Sequence, residues 1–194
     1  MAKPTFLINV VVNDDQKIIS AFAGNWITAH RAACDLVNRM YGVRVKEKTP
    51  LVIASAGGYP KDLNFYQTIK TLCNALVVAE DGGTIILVTK SEEGFGSDDM
   101  EKQVAGYATM LEREKALRTD FSIGAFIGYL FAESGEKYHM IAVTDIPQEA
   151  FGTAKIHAVK TLDEALALAR QLNGGKDLRT TLLPHGANTL PILE

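Results

Sequence analysis

A phenol, an amide and an ammonium stand at helical spacing in SAGGYPKDLNFYQTIK, residues 55–70: Tyr66, Gln67 and Lys70. Such a trio can hold an anion. The ammonium neutralises a carboxylate or phosphate, and the amide and phenol fix its orientation by hydrogen bonds. Gly57 and Gly58 stand just ahead of them, after the apolar run LVIAS at 51–55. Glycine admits positive φ and lets a ligand come close to the backbone. A loop leaving a strand end, followed by a helix N-terminus, is where α/β sheets bind anions. A surface helix after a tight turn accounts for the same letters. The GG pair is neither a GxGxxG fingerprint nor a P-loop.

The helix that must position the trio is expected to begin near residue 64, capped by Asn64 or Asp62. At about 100° per residue, Phe65, Ile69, Leu72, Cys73 and Leu76 share one arc, which is the expected core face. Tyr66, Gln67, Lys70 and Asn74 share the neighbouring arc. A second glycine loop, KSEEGFGSDD at 90–99, follows the strand-like GTIILVT at 83–89, so both loops are expected on one rim. Ser97 is the expected cap of a helix over SDDMEKQV. Glu93, Asp98 and Asp99 could hold a magnesium-type cation, but the favoured reading is solvated charge complementing the helix dipole.

The four histidines give no complete constellation. His30 and Cys34 have metal-ligand spacing, yet no third ligand stands near them. His139 and His157 lie in strand-like runs and read as core or edge residues. His185 lies in the turn-rich LPHGANTLP and could face a pocket. No GxSxG elbow is present, so a hydrolase triad is unsupported. No residue is singled out as catalytic, and no metal ligand set is expected.

Around these residues the elements are readable from periodicity. TFLINVVV at 5–12 and KIISAFAG at 17–24 predict a hairpin across the turn NDDQ. Trp26, Ala29, Ala33, Leu36, Val37 and Met40 predict a helix over 26–41, closed by Gly42. VRVKEKTP reads as a connector and marks a boundary. From residue 51 continuous apolar runs alternate with helices, ending in YHMIAVT at 138–144 and KIHAVK at 155–160. Such runs predict strands covered on both faces. The expected fold is therefore α/β, a mostly parallel, three-layer, Rossmann-like sheet domain with N- and C-terminal β arms. Thr161 and Glu164 predict a capping box for a helix over 162–172. The tail begins as a strand and then becomes irregular. It is too apolar to stand uncovered.

The 194 residues are 47% apolar and 22% charged with net charge −3, ordinary for a globular chain with its own core. No basic stripe points to nucleic acid, and no apolar run approaches the ~20 residues that span a bilayer. MAKPTFLINV lacks the order of a signal peptide, so a cytoplasmic setting is expected. Cys34 and Cys73 are too few for a disulfide framework and read as buried free thiols.

Several stretches, in order, carry a family likeness: FLINVVVNDDQKIISAFAG, AHRAACDL, IASAGGYPKDLNFYQTIK, AEDGGTIILV with EGFG, and LPHGANTLP. On these the chain resembles the C-terminal portion of the lactate racemase family, enzymes with a nickel-pincer nucleotide cofactor. The resemblance implies two domains with the active site in the cleft between them. It implies that an amino-terminal domain, missing here, holds the cofactor, the nickel and the acid/base histidines. That domain would be this chain's partner, and a 2-hydroxy acid its substrate. In this family hydrogen leaves C2 as a hydride to the cofactor while a histidine takes the hydroxyl proton. The family's Tyr-Gln-x-x-Lys group matches Tyr66, Gln67 and Lys70, preceded by Gly57 and Gly58. The implied domains are 1–46 as an arm of the missing domain, 47–176 as the α/β domain, and 177–194 as a tail returning to the missing domain. The chain alone is expected to be inactive. A non-catalytic α/β ligand-binding or interaction domain is the alternative.

Overall fold

The computed structural model describes residues 4–13 and 15–194. It divides into two units, Met1–Arg44 and Val45–Glu194.

In the first unit, Leu7–Val12 (β1) and Ile18–Gly24 (β2) form the expected antiparallel hairpin. Its turn includes Asp14, which lies outside the described residues. Trp26–Tyr41 (α1) is capped by Asn25, whose side chain accepts from Ile27 and Thr28. Gly42 is extended rather than left-handed, because it opens a short strand, Gly42–Val45 (β3), where a plain connector was expected. Side chains alternate across the hairpin. Val11 is buried, while Ile8, Val10 and Val12 are exposed. Ile8 pairs with Ala23 and Val10 with Ala21, so one face of the ribbon is apolar and bare.

The second unit is a parallel sheet between helices. Its strands are Thr49–Ser55 (β4), Ala79–Val88 (β5), His139–Val143 (β6), Ile156–Val159 (β7) and Thr180–Leu183 (β8), in the order β7-β6-β5-β4-β8. Every neighbouring pair is parallel. Alternation sets the two faces. Val52, Ala54, Ile85, Leu87, Met140 and Ala142 enter one core. Leu51, Ile86 and Ile141 enter the other, under Ala165 and Ala169 of Leu162–Leu172 (α6). The larger core lies beneath Ile69–Val78 (α2), Asp98–Ala105 (α3) and Ile123–Lys137 (α5). The expected three-layer α/β architecture is the observed one. The capping box of Thr161 and Glu164 is present, as is the Ser97 cap of α3.

Residues 106–137, which carry no element in the sequence reading, hold Met110–Thr119 (α4) and all of α5. Arg113 of α4 is 2% exposed and donates to the carbonyls of Gln103 (2.7 Å) and Val104 (2.9 Å). A buried guanidinium thus closes the C-terminus of α3, where orphan carbonyls carry partial negative charge. The tail also differs from expectation. Its first strand, β8, pairs with β4 from Leu51↔Thr180 to Ala54↔Leu183, so residues 180–183 are an edge of this sheet and not a loose arm. The segment read as irregular ends in a further short strand, Leu190–Leu193 (β9). Among the described residues no helix is long and apolar enough to cross a membrane.

Candidate anion-binding rim

Five parallel strands end on one rim, and chain reversal there is built by glycine. Gly57 and Gly58, just past β4, have φ of 95° and 77°. That left-handed backbone is cheap only for glycine. Ser55 Oγ accepts from the Gly57 N–H (3.1 Å), which shapes the turn. Both glycines are exposed. A Cβ on Gly58 would meet nothing within 4 Å, so the turn faces open space.

The helix after the turn starts differently from the simple wheel. Phe65–Thr68 is a 3₁₀ turn, capped by Asn64 through Gln67 N–H, and α2 begins at Ile69. A 3₁₀ turn advances about 120° per residue rather than 100°, so the helix face rotates. The buried stripe becomes Phe65, Thr68, Thr71, Leu72, Ala75 and Val78. Cys73, expected in the core, is exposed instead, and so is Cys34. Partial desolvation still pushes the Cys73 thiol above its ordinary pKa.

Of the predicted trio, two members are joined. Lys70 Nζ donates to Gln67 Oε1 at 2.8 Å. Lys70 is exposed and Gln67 half-buried. Tyr66 is half-buried with its ring against the larger core. Its backbone N–H donates to Phe95 O (3.1 Å), which ties the first loop to the second. Neither Lys70 nor Lys61 has a carboxylate partner among the described residues. By contrast Lys90, after β5, donates to Glu92 at 2.6 Å, and that hydrogen bond raises its pKa above the ordinary lysine value.

The second loop does lie on the same rim. It lines a cavity of about 420 Å³ whose wall carries Glu92, Glu93, Asp98, Glu101 and Asp145. Glu93 accepts from Asn64 Nδ2 (3.3 Å), and Asp99 accepts from Ser122 Oγ (2.6 Å). Among the described residues no group of three or more His, Cys, Asp or Glu is arranged to hold a metal ion. His30 contacts Cys34 Sγ through Nε2 at 3.5 Å, a pair without a third ligand. His139 and His157 are exposed, the latter on the edge strand β7.

His185, which the sequence reading allowed to face a pocket, stands beside the first glycine turn. Gly186 N–H donates to Ser55 O (2.7 Å), and Asn74 Nδ2 donates to Gly186 O (2.7 Å). A Cβ on Gly57 would stand 3.9 Å from His185 Nδ1 and 3.8 Å from Lys61 Cδ. The signal was present as turn residues in LPHGANTLP, but pairing β8 beside β4 is what brings that loop to the first glycine turn.

This arrangement can bind an anion and orient it. It has no nucleophile–base pair of its own. The family model for the lactate racemase C-terminal domain matches residues 45–190. The lactate racemase of Lactiplantibacillus plantarum is 31% identical over 201 residues, covering 97% of this chain and 45% of that protein. That of Thermoanaerobacterium thermosaccharolyticum is 37% identical over 97 residues, covering 50% of this chain and 22% of that protein. The structure of the lactate racemase apoprotein from Thermoanaerobacterium thermosaccharolyticum superposes with a TM-score of 0.84 at 27% identity, over 97% of this chain and 46% of that one. A Thermotoga maritima protein shares the fold at a TM-score of 0.61 and 16% identity. The chain thus spans about half the length of the longest-matching relatives. With the family model running from the edge of the first unit to the last strand, the chain belongs to the lactate racemase C-terminal domain family.

Proposed function

We propose that this chain is the cleft-closing domain of a lactate racemase-like 2-hydroxy-acid racemase or epimerase, working against a preceding half that binds a nickel-pincer nucleotide. One observation carries the reading. An ammonium tied to an amide, Lys70 to Gln67 at 2.8 Å, stands on the glycine-opened rim of a lactate racemase C-terminal domain.

A 2-hydroxy acid presents a carboxylate, a C2 hydroxyl and a C2 hydrogen. Its racemisation needs the carboxylate neutralised and C2 held still while hydrogen leaves one face and returns to either. Lys70 supplies the counter-charge. Gln67 holds the Lys70 ammonium through its Oε1, which leaves its amide N–H to donate to a substrate oxygen. Tyr66 offers a phenol at the margin of an apolar core, which suits a surface that closes over substrate and excludes water. None of the three takes a proton from the substrate. That work falls to histidines of the preceding half.

The rim also fits an anionic cofactor, since the Gly57–Gly58 turn has no Cβ and Lys61 and Lys70 have no carboxylate partner among the described residues. When bound, the nickel-pincer nucleotide supplies the acceptor for the C2 hydride. Its metal ligands belong to the preceding half. The same half covers the bare apolar face of the first unit's hairpin. Two free thiols accord with a cytoplasmic setting.

The test is reconstitution. The chain is mixed with a cofactor-loaded preceding half of lactate racemase, and interconversion of D- and L-lactate is followed. The expected result is no turnover by either part alone and turnover by the mixture. Association without turnover, or no association, favours a non-catalytic binding domain on the same scaffold.

A further inference from the structure

We infer that His185, with Lys61, forms an anion contact across Gly57, next to the one assigned to Lys70. The inference rests on the reading of this rim as an anion site.

The loop after β8 is built to hold one imidazole in place. The His185 carbonyl accepts from Asn188 N (2.9 Å), Thr189 N (2.8 Å) and Thr189 Oγ1 (2.9 Å), which closes a tight turn. Gly186 is fixed from both sides, donating to Ser55 O and accepting from Asn74 Nδ2, each at 2.7 Å. A side chain at Gly186 would stand 2.8 Å from Thr71 Cγ2 and 3.0 Å from Ser55 O, so the loop backbone lies directly on β4 and α2. These contacts fix the backbone from His185 onward while its ring remains exposed.

The ring stands at the first glycine turn. The space a Cβ on Gly57 would fill is bounded by His185 Nδ1 at 3.9 Å and Lys61 Cδ at 3.8 Å. The link to Lys70 runs through α2. Asn74, which holds Gly186, is four residues after Lys70, and side chains at that spacing share one helix face. The His185 imidazole and the Lys61 side chain therefore border the same bare backbone, and Lys70 lies on the helix face that holds the loop. Their shared chemistry is recognition of a carboxylate or a phosphate, from the hydroxy acid or from a nucleotide.

The experiment is ¹H–¹⁵N NMR of the 194-residue chain, titrated separately with sodium lactate and with inorganic phosphate. It observes the imidazole signals and the Gly57 and Gly58 amides. The expected result is one saturable curve shared by His185, Gly57 and Gly58, with His139 and His157 unmoved. His185→Gln is expected to weaken that binding about threefold to fivefold, the scale of a partly exposed charge contact. Lys61→Ala is expected to act similarly. The exposed side chains make both variants compatible with the fold, and unchanged amide spectra elsewhere check this. A response to lactate identifies a carboxylate site, and a response confined to phosphate identifies a phosphate site. If the glycine amides respond and Lys70→Ala abolishes the response while His185→Gln leaves it unchanged, the role of His185 is overturned and the Lys70 reading stands. If neither anion moves any rim signal, both fail.

Discussion

Gly57–Gly58 and Gly94–Gly96 turn at the ends of neighbouring strands, β4 and β5, yet their surroundings carry opposite charge. Lys61 and His185 stand about the first, and Lys70 lies on the helix that follows it. Glu92, Glu93, Asp98, Glu101 and Asp145 line the cavity at the second, and Lys90, which precedes that loop, is tied to Glu92. The scaffold beneath is shared. Phe65 follows the first loop and Phe95 lies within the second. Their rings meet edge to face with centroids 5.9 Å apart, and both pack on Phe151. Sheet topology therefore decides where the loops sit, and a few surface side chains decide which can take an anion. On the proposed reading, the acidic loop would repel a carboxylate and so favour its neighbour.

The largest expected effect removes what the two loops have in common. Phe65 is fully buried among Phe95, Phe131 and Phe151. Phe65→Ala should cost about 3–5 kcal/mol of unfolding free energy, the range for large aromatic truncations in cores, measured by urea denaturation. A loss under about 1 kcal/mol would mean that the rings do not anchor both loops. A smaller effect separates the loops. Gly96 has φ 72°, and a Cβ there would lie 2.4 Å from Asn64 Cγ. Gly58 has φ 77° with nothing near its missing Cβ. Gly96→Ala should lower stability by about 2–3 kcal/mol, from strain plus displacement of the Asn64 cap. Gly58→Ala should cost about 1 kcal/mol, from the left-handed backbone alone. Thermal melts of the two variants compare them directly, and equal losses would deny that Asn64 braces the second loop.

Much of this arrangement was legible in the sequence, for identifiable reasons. Continuous apolar runs such as LVIAS and TIILV mark strands covered on both faces, and the two pair in parallel. Thr161 with Glu164 and Ser97 before two aspartates mark helix starts that rest on local hydrogen bonds alone. The spacing of Gln67 and Lys70 foretold their contact. What escaped was set by distant partners. The placement of β8 beside β4, 132 residues apart at the Thr49–Thr181 hydrogen bond, leaves no local trace. His185 owes its position to that pairing. The 3₁₀ turn at Phe65–Thr68 rotated the predicted wheel and left Cys73 on the surface. Polar α4 escaped because its buried contact is a single charged residue, Arg113, where an apolar stripe is the usual signal.

The most direct test of the central claim, that the basic loop and not the acidic one faces the reacting anion, compares Lys70→Ala with Glu93→Gln in the reconstituted racemase. Lactate racemisation should fall about 10²-fold in kcat/KM for Lys70→Ala, the scale of losing a preorganised charge contact. It should change less than about twofold for Glu93→Gln, an exposed carboxylate. Equal activity of wild type and Lys70→Ala, or the larger loss in Glu93→Gln, would contradict the account.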